Sequence, residues 1–393
     1  MYVQILNSRL YHGVCCFVLF FVAASASFNG FYEACHFHEI SAGWEEGSFE
    51  RMLEGTADRP YVYRRLLPDT ANWIGQVVPQ TIQVRLYNRQ VSRPDSLPSP
   101  TANNRVYFFR YFVTYIATFL FSLVAVYAMY FVCKDIGMSP PAAVFAPVIV
   151  ILLLPYITSY SGFNYDYSEL AFMALAVWVT LKFDWWWAIP VAALGTWNKE
   201  SFLLFIPALY PLIRRRTSRL GALLAIAVLC SVCAAVYFPI RLRFAHNPGS
   251  TVIVQWLDQL RYFTHPLLLL FATEPSYGMR VPKAFSLIPM ALFSWIMVRS
   301  WRHLPLFIRR HGQIAAAINI PLYVLFCSPG EVRDLSMLYI VLLLALAVNL
   351  NEWIGASKRA RPQQESERAA DLSFSGSIQT ETPLVSMKKH NLS

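Results

Sequence analysis

The chain has 393 residues, of which 56% are hydrophobic and only 14% charged. A soluble domain is about 25% charged, so this composition excludes an ordinary water-soluble protein and describes a polytopic membrane protein. The net charge of +10 does not describe a nucleic-acid binder, because the basic residues stand at the ends of apolar runs, where membrane orientation places them.

From the N-terminus, residues 12–29 read as the first span and not as a cleaved leader, since only Arg9 precedes them and no clean A-x-A site is followed by a soluble domain. A long loop of mixed charge, residues 30–106, comes next. It contains FYEACHFHE, with Glu33, His36, His38 and Glu39, and RPYVYRRLLPD, with Arg64 and Arg65. The stretch Tyr61–Ile74 mixes aromatic, aliphatic and basic residues as an interfacial helix does. Tyr61, Tyr63, Leu66, Leu67 and Trp73 are expected to face lipid there, with Pro68 breaking or kinking the helix.

Further apolar runs, each near the roughly 20 residues a crossing needs, lie at about 107–133, 140–159, 168–182, 185–198, 201–213, 219–240, 281–298, 312–327 and 334–352. The run HPLLLLFAT, His265–Thr273, is too short to cross and reads as re-entrant or interfacial. The expected fold class is therefore an all-α polytopic membrane protein of ten spans, or eleven if that run crosses. Residues 1–355 form a single transmembrane domain whose long external loop holds short interfacial helices. Residues 356–393 are polar and read as a disordered tail.

RRRTSR (Arg214–Arg219), the group Arg299, Arg302, Arg309 and Arg310, and Lys358, Arg359 and Arg361 all fall on one side of the ten-span arrangement. By the positive-inside rule that side is cytoplasmic, with both termini, and the long loop is external. Of the seven cysteines, Cys230-x-x-Cys233 lies in an apolar helix without a second pair, so neither a metal site nor a disulfide framework is implied.

With this topology the polar residues of the apolar region gather at the outer face. SGFNYDYSE brings Asn164, Tyr165, Asp166, Tyr167 and Glu169; TWNKES brings Asn198, Lys199 and Glu200; SPGEVRD brings Glu331, Arg333 and Asp334. A hairpin tip needs only Gly, Asn or Ser, so these charges ask for partners. Lys199 and Glu200 are adjacent and do not face each other on a helix. The expected counter-ions of Lys199 are Asp166, Glu331 or Glu33, and that of Glu200 is Arg333. Solvated turns are the plain alternative. Asp166 with Glu33 or Glu39 offers oxygen ligands for a divalent cation, and no other metal site is read.

YVYRRLLPD, NYDYSE, NKES and GEVRD, in this order between apolar helices, resemble a group of bacterial integral membrane proteins that are in turn similar to the GT-C glycosyltransferase superfamily. The resemblance spans most of residues 12–352. It implies an all-helical bacterial inner-membrane enzyme using a sugar on a polyprenyl phosphate, with its active site on the external face. It further implies that Glu33 or Glu39 is the catalytic carboxylate. Arg64, Arg65, Lys199 and Arg333 would be phosphate contacts, with Asp166, Glu200 and Glu331 completing the substrate site. Where the superfamily carries an aspartate just after the first span, this chain has Glu33, with no aspartate before Asp58. The alternatives are a transporter or flippase of lipid-linked or small solutes, and a non-catalytic membrane scaffold.

Overall fold

Apolar runs become helices in a bilayer because a helix satisfies every backbone hydrogen bond within its own segment. The computed structural model follows that rule and describes residues 2–35, 47–91, 104–158, 162–250, 252, 254–328 and 330–355. The tail 356–393, together with His36, His38 and Glu39, lies outside the described residues.

Helix α1 (Tyr2–Cys35) is followed by the loop, which carries α2 (Phe49–Glu54), a 3-10 turn at Tyr61–Tyr63, α3 (Leu66–Val77) and α4 (Gln80–Val91). The next three long helices are α5 (Phe108–Asp135), α6 (Pro140–Thr158) and α7 (Asp166–Lys182). Then α8 (Ala188–Asn198) turns back into a broken segment, with α9 (Phe202–Phe205) and α10 (Tyr210–Ile213) separated by a 3-10 turn. Helix α11 (Arg219–Arg243) leads to the short helices α12 (Trp256–Phe263) and α13 (Pro266–Phe271). The chain closes with α14 (Leu287–Trp301), α15 (Leu306–Phe326), a 3-10 turn at Val332–Leu338 and α16, residues 339–355.

Among the described residues, five helices are long and apolar enough to cross a membrane: Leu10–Tyr32, Phe108–Asp135, Pro140–Thr158, Arg219–Arg243 and Val332–Gly355. Their outer faces are apolar. On α11, Leu220 is 67% exposed, and Leu223 and Leu224 are exposed beside it. Such surfaces are stable against lipid and not against water, so the chain is an integral membrane protein that contacts lipid.

Helix α7 differs from these, because nearly all of its residues are buried. It packs against α5, α8, α10 and the Val332–Leu338 turn, as a helix without a polar face must. The other short segments expected as spans, 185–198 and 201–213, become α8 and the broken α9–α10 stretch, which pack on α7 and on α11.

The described residues are mostly helical, as an all-α membrane protein requires, and two finer expectations are corrected. β1 (Thr273–Ser276) and β2 (Met279–Pro282) form an antiparallel hairpin, with Thr273 opposite Pro282, so the helix in the stretch 281–298 begins only at Leu287. In the loop, Tyr63, Leu66 and Leu67 are buried in the protein core and do not face lipid, whereas Trp73 is 65% exposed. Pro68 does not break α3, because it sits in the first turn, where no intrahelical donor is needed.

Candidate functional site: a buried ionic cluster

The cluster begins where α7 starts. Asp166 accepts the Phe163 N–H at 2.8 Å, while its own N–H donates to the Phe163 carbonyl at 2.9 Å, which closes the entering turn. Asp166 and Glu169 both lie in the first turn of α7, where the helix dipole favours negative charge.

The second component is the NKES break. Helix α8 stops because Lys199 adopts an extended backbone, φ −153° and ψ 130°. A Cβ on Gly195 would stand 2.8 Å from the Phe202 ring, so only glycine lets α9 fold this closely onto α8. Asn198 ties the break to α7: its Nδ2 donates to the Tyr165 carbonyl at 3.2 Å, and its Oδ1 accepts from Ser168 at 2.6 Å. Lys199 Nζ then lies 2.8 Å from Glu169 and 3.4 Å from Asp334. Ser201 and Ser336 donate to the other Glu169 oxygen at 3.3 and 2.8 Å.

The Val332–Leu338 turn delivers Arg333, 3.5 Å from Asp166 and 3.8 Å from Glu331. The long loop delivers Arg64, which pairs with Glu200 at 3.4 Å and donates to the Tyr165 hydroxyl. Phe163 and Tyr165 stack with ring centroids 5.1 Å apart. Arg333 lies 4.8 Å over Phe163 and Arg64 4.5 Å over Tyr165, so a guanidinium is set against each ring of the stacked pair.

Three cations (Arg64, Lys199 and Arg333) thus meet five carboxylates (Asp166, Glu169, Glu200, Glu331 and Asp334). Lys199 is only 6% exposed. Its burial opposes the charge, but the Glu169 and Asp334 carboxylates outweigh burial and hold its pKa above the ordinary lysine value. Three buried atoms of the cluster, Arg64 Nε, Arg333 Nε and Glu200 Oε2, have no hydrogen-bond partner in the protein.

Burial pushes the Glu331 carboxyl up from 4.5 to about 7, against the lowering effect of Arg333. An acid whose pKa is raised on folding binds more protons in the folded state, so stability falls as pH rises between those two values. The expected fall is roughly 1–3 kcal/mol. Thermal melts across this window should show it, and Glu331→Gln should flatten the slope. An equal slope in the variant would remove Glu331 as its source.

The sequence-named residues fare differently. Arg64, Asp166, Lys199, Glu200, Glu331 and Arg333 come together. Arg65 does not: it pairs with Asp69 and donates to the Met52 carbonyl, outside the cluster. The expected counter-ions are corrected as well, because Lys199 takes Glu169 and Asp334, and Glu200 takes Arg64. Glu169 and Asp334 stood in the same quoted motifs, but nothing local to them told them from Asp166 and Glu331. Glu33 lies on the last turn of α1, and its side chain lies outside the described residues. Its neighbour Tyr32 donates to Asn164 at 3.3 Å, which brings the end of α1 to the α6–α7 turn. No group of three His, Cys, Asp or Glu placed to hold a metal ion occurs among the described residues.

In comparisons with known proteins the chain matches no family model, no curated protein and no solved structure.

Proposed function

We propose that the protein is a GT-C-like glycosyltransferase of the bacterial inner membrane, drawing its sugar from a polyprenyl phosphate carrier. The ten-span arrangement goes with this reading, with both termini cytoplasmic and the ionic cluster at the external face. One observation carries it: Arg64 and Arg333 converge from the long loop and the last turn, each with a buried Nε–H that no protein acceptor uses. An unused buried donor costs about 1–3 kcal/mol, and a phosphate oxygen would complete both guanidinium forks.

In the reaction the acceptor hydroxyl gives its proton to Glu33 or Glu39 and attacks the anomeric carbon. The bond from that carbon to the phosphate oxygen breaks, and the phosphate leaves with the electron pair. Arg64 and Arg333 are set to stabilise that charge. Tyr32, beside Glu33, reaches Asn164, which supports placing the carboxylate at this end of the bundle.

The test is release of free polyprenyl phosphate by the purified protein in nanodiscs, supplied with a panel of polyprenyl phosphate sugars. Glu33→Gln, or Glu39→Gln if that is the base, and Arg64→Gln should each lower the rate by about 100-fold or more. If release never exceeds that of the Glu33→Gln/Glu39→Gln double variant, the reading fails. The orientation has its own check: an impermeant thiol reagent labelling Ser218→Cys from outside intact cells would overturn it.

One feature favours the second reading, transport. Carboxylates outnumber cations in the cluster, which suits a proton or a cation better than a phosphate. Solute uptake into proteoliposomes driven by a pH gradient, in a protein that releases no polyprenyl phosphate, would decide for it.

A further inference from the structure

A second polar recess lies apart from the ionic cluster, between α2, α3 and the end of α11. It encloses about 290 Å³ and is lined by Glu54, Arg65, Asn72, Gln76, Arg243 and Phe244, among others. Its floor is Phe244, seated on Gly55. Gly55 has φ +75°, and a Cβ there would stand 3.0 Å from the Phe244 ring. Asn247 clamps the same corner by donating to the carbonyls of Gly55 and Ala57, both at 2.9 Å.

The charges of the recess are of two kinds. Arg65 and Asp69 form a closed pair: Arg65 Nε donates to Asp69 at 3.0 Å, and the other Asp69 oxygen accepts from Trp197 at 3.3 Å. That pair is already neutral and builds the wall. Arg243 and Glu54 are different. Arg243 lies against the Phe244 ring at 5.2 Å, and no ion pair holds it among the described residues. Glu54 accepts from the Tyr107 and Thr56 hydroxyls, both neutral donors, and likewise has no ion pair there. One cation and one anion therefore line one cavity without neutralising each other.

One lining residue is apolar and exposed: Trp73, at 65%, and Trp at such a site marks the level of the lipid headgroups. The helices that carry the recess expose further apolar side chains, Val77 on α3 at 65% and Leu242 on α11 at 74%. An occupant must then carry an anionic group for Arg243, a cationic hydrogen-bond donor for Glu54, and acyl chains for Trp73 and the apolar helix surfaces beside it.

We propose that this recess is a binding site for a zwitterionic phospholipid whose headgroup is a phosphate bearing a primary ammonium. Arg243 takes the phosphate, and Glu54 takes the ammonium. Asn72, also in the lining, is held in place by donating to the Leu53 carbonyl at 2.8 Å. The site is independent of the transferase reading, since it shares no residue with the ionic cluster.

The test uses the full-length protein in detergent, titrated with dioleoyl phosphatidylethanolamine, phosphatidylglycerol or phosphatidylcholine, with native mass spectrometry as the readout. Phosphatidylethanolamine should bind best. Arg243→Gln should weaken every phospholipid by about tenfold, the usual worth of a charge-assisted hydrogen bond. Glu54→Gln should instead abolish the preference for phosphatidylethanolamine over phosphatidylglycerol. Both side chains are exposed, and the wild-type lipid series is read without any variant. Equal binding of phosphatidylglycerol to the wild type would overturn the proposal, as would a preference unchanged by Glu54→Gln. Free phosphoethanolamine, a headgroup without acyl chains, is the last arm. If it binds as tightly as the lipid, the ligand is a soluble zwitterion and the lipid assignment falls.

Discussion

Lys199→Met is expected to destabilise the folded protein by about 3–5 kcal/mol, the cost of breaking a buried ion pair from one side. The lysine is 6% exposed and stands between Glu169 and Asp334, at 2.8 and 3.4 Å. Methionine fills much of the same volume, so the loss is electrostatic and not a cavity. It leaves Glu169, which is 4% exposed, as a carboxylate with two serine hydroxyls and no cation. Adding Glu169→Gln should therefore recover part of the loss, because an amide tolerates that environment where an ion does not. Unfolding of the single and double variants in one detergent, analysed as a double-mutant cycle, measures the coupling. A Lys199→Met protein that melts with the wild type would show that these carboxylates do not depend on the lysine. A transferase role for Lys199 appears separately, as lost turnover per folded molecule.

Arg333→Lys should cost about 2 kcal/mol or more, although it keeps the charge. Arg333 uses two different Nη groups, one toward Asp166 and one toward Glu331, while its planar face lies 4.8 Å from the Phe163 ring. An ammonium is a compact point charge and cannot make both contacts from that position, so a buried carboxylate is left short of a partner. Asp166 suffers most, being 6% exposed and responsible for capping the turn at Phe163. The conformation of that turn would loosen with it. The comparison with Arg333→Met decides the matter. If lysine restores full stability, the site needs only a positive charge, and the fork geometry is irrelevant.

The membrane character of the chain and the position of its long apolar helices were legible in the sequence, because hydrophobicity along a run is a local property. So was the gathering of NYDYSE, NKES and GEVRD. Each motif interrupts an apolar run, and polar groups stranded at such breaks need one another as partners. The hairpin at Thr273–Pro282 was missed because its strands are only four residues long and the run HPLLLLFAT masked their start. The inward orientation of Tyr63, Leu66 and Leu67 was missed for a related reason. An amphipathic pattern says that one face is apolar, but not whether lipid or protein covers it.

Hydropathy along the chain is enough to make this a helical membrane protein with its charged residues collected at helix breaks. Which charge meets which follows from how the helices pack. Asp166 and Glu169 are three residues apart and share a face of α7, so the expectation of Asp166 for Lys199 had no local feature that set it above Glu169. The choice depends on how far the α8 break and the Val332–Leu338 turn reach along α7, to within the few ångströms that separate a salt bridge from a miss. That offset arises from packing contacts far apart in the chain: Gly195 against Phe202, and Asn198 against Tyr165 and Ser168. No local pattern of residues encodes it, because Coulomb attraction in the low-dielectric interior depends on distance and burial.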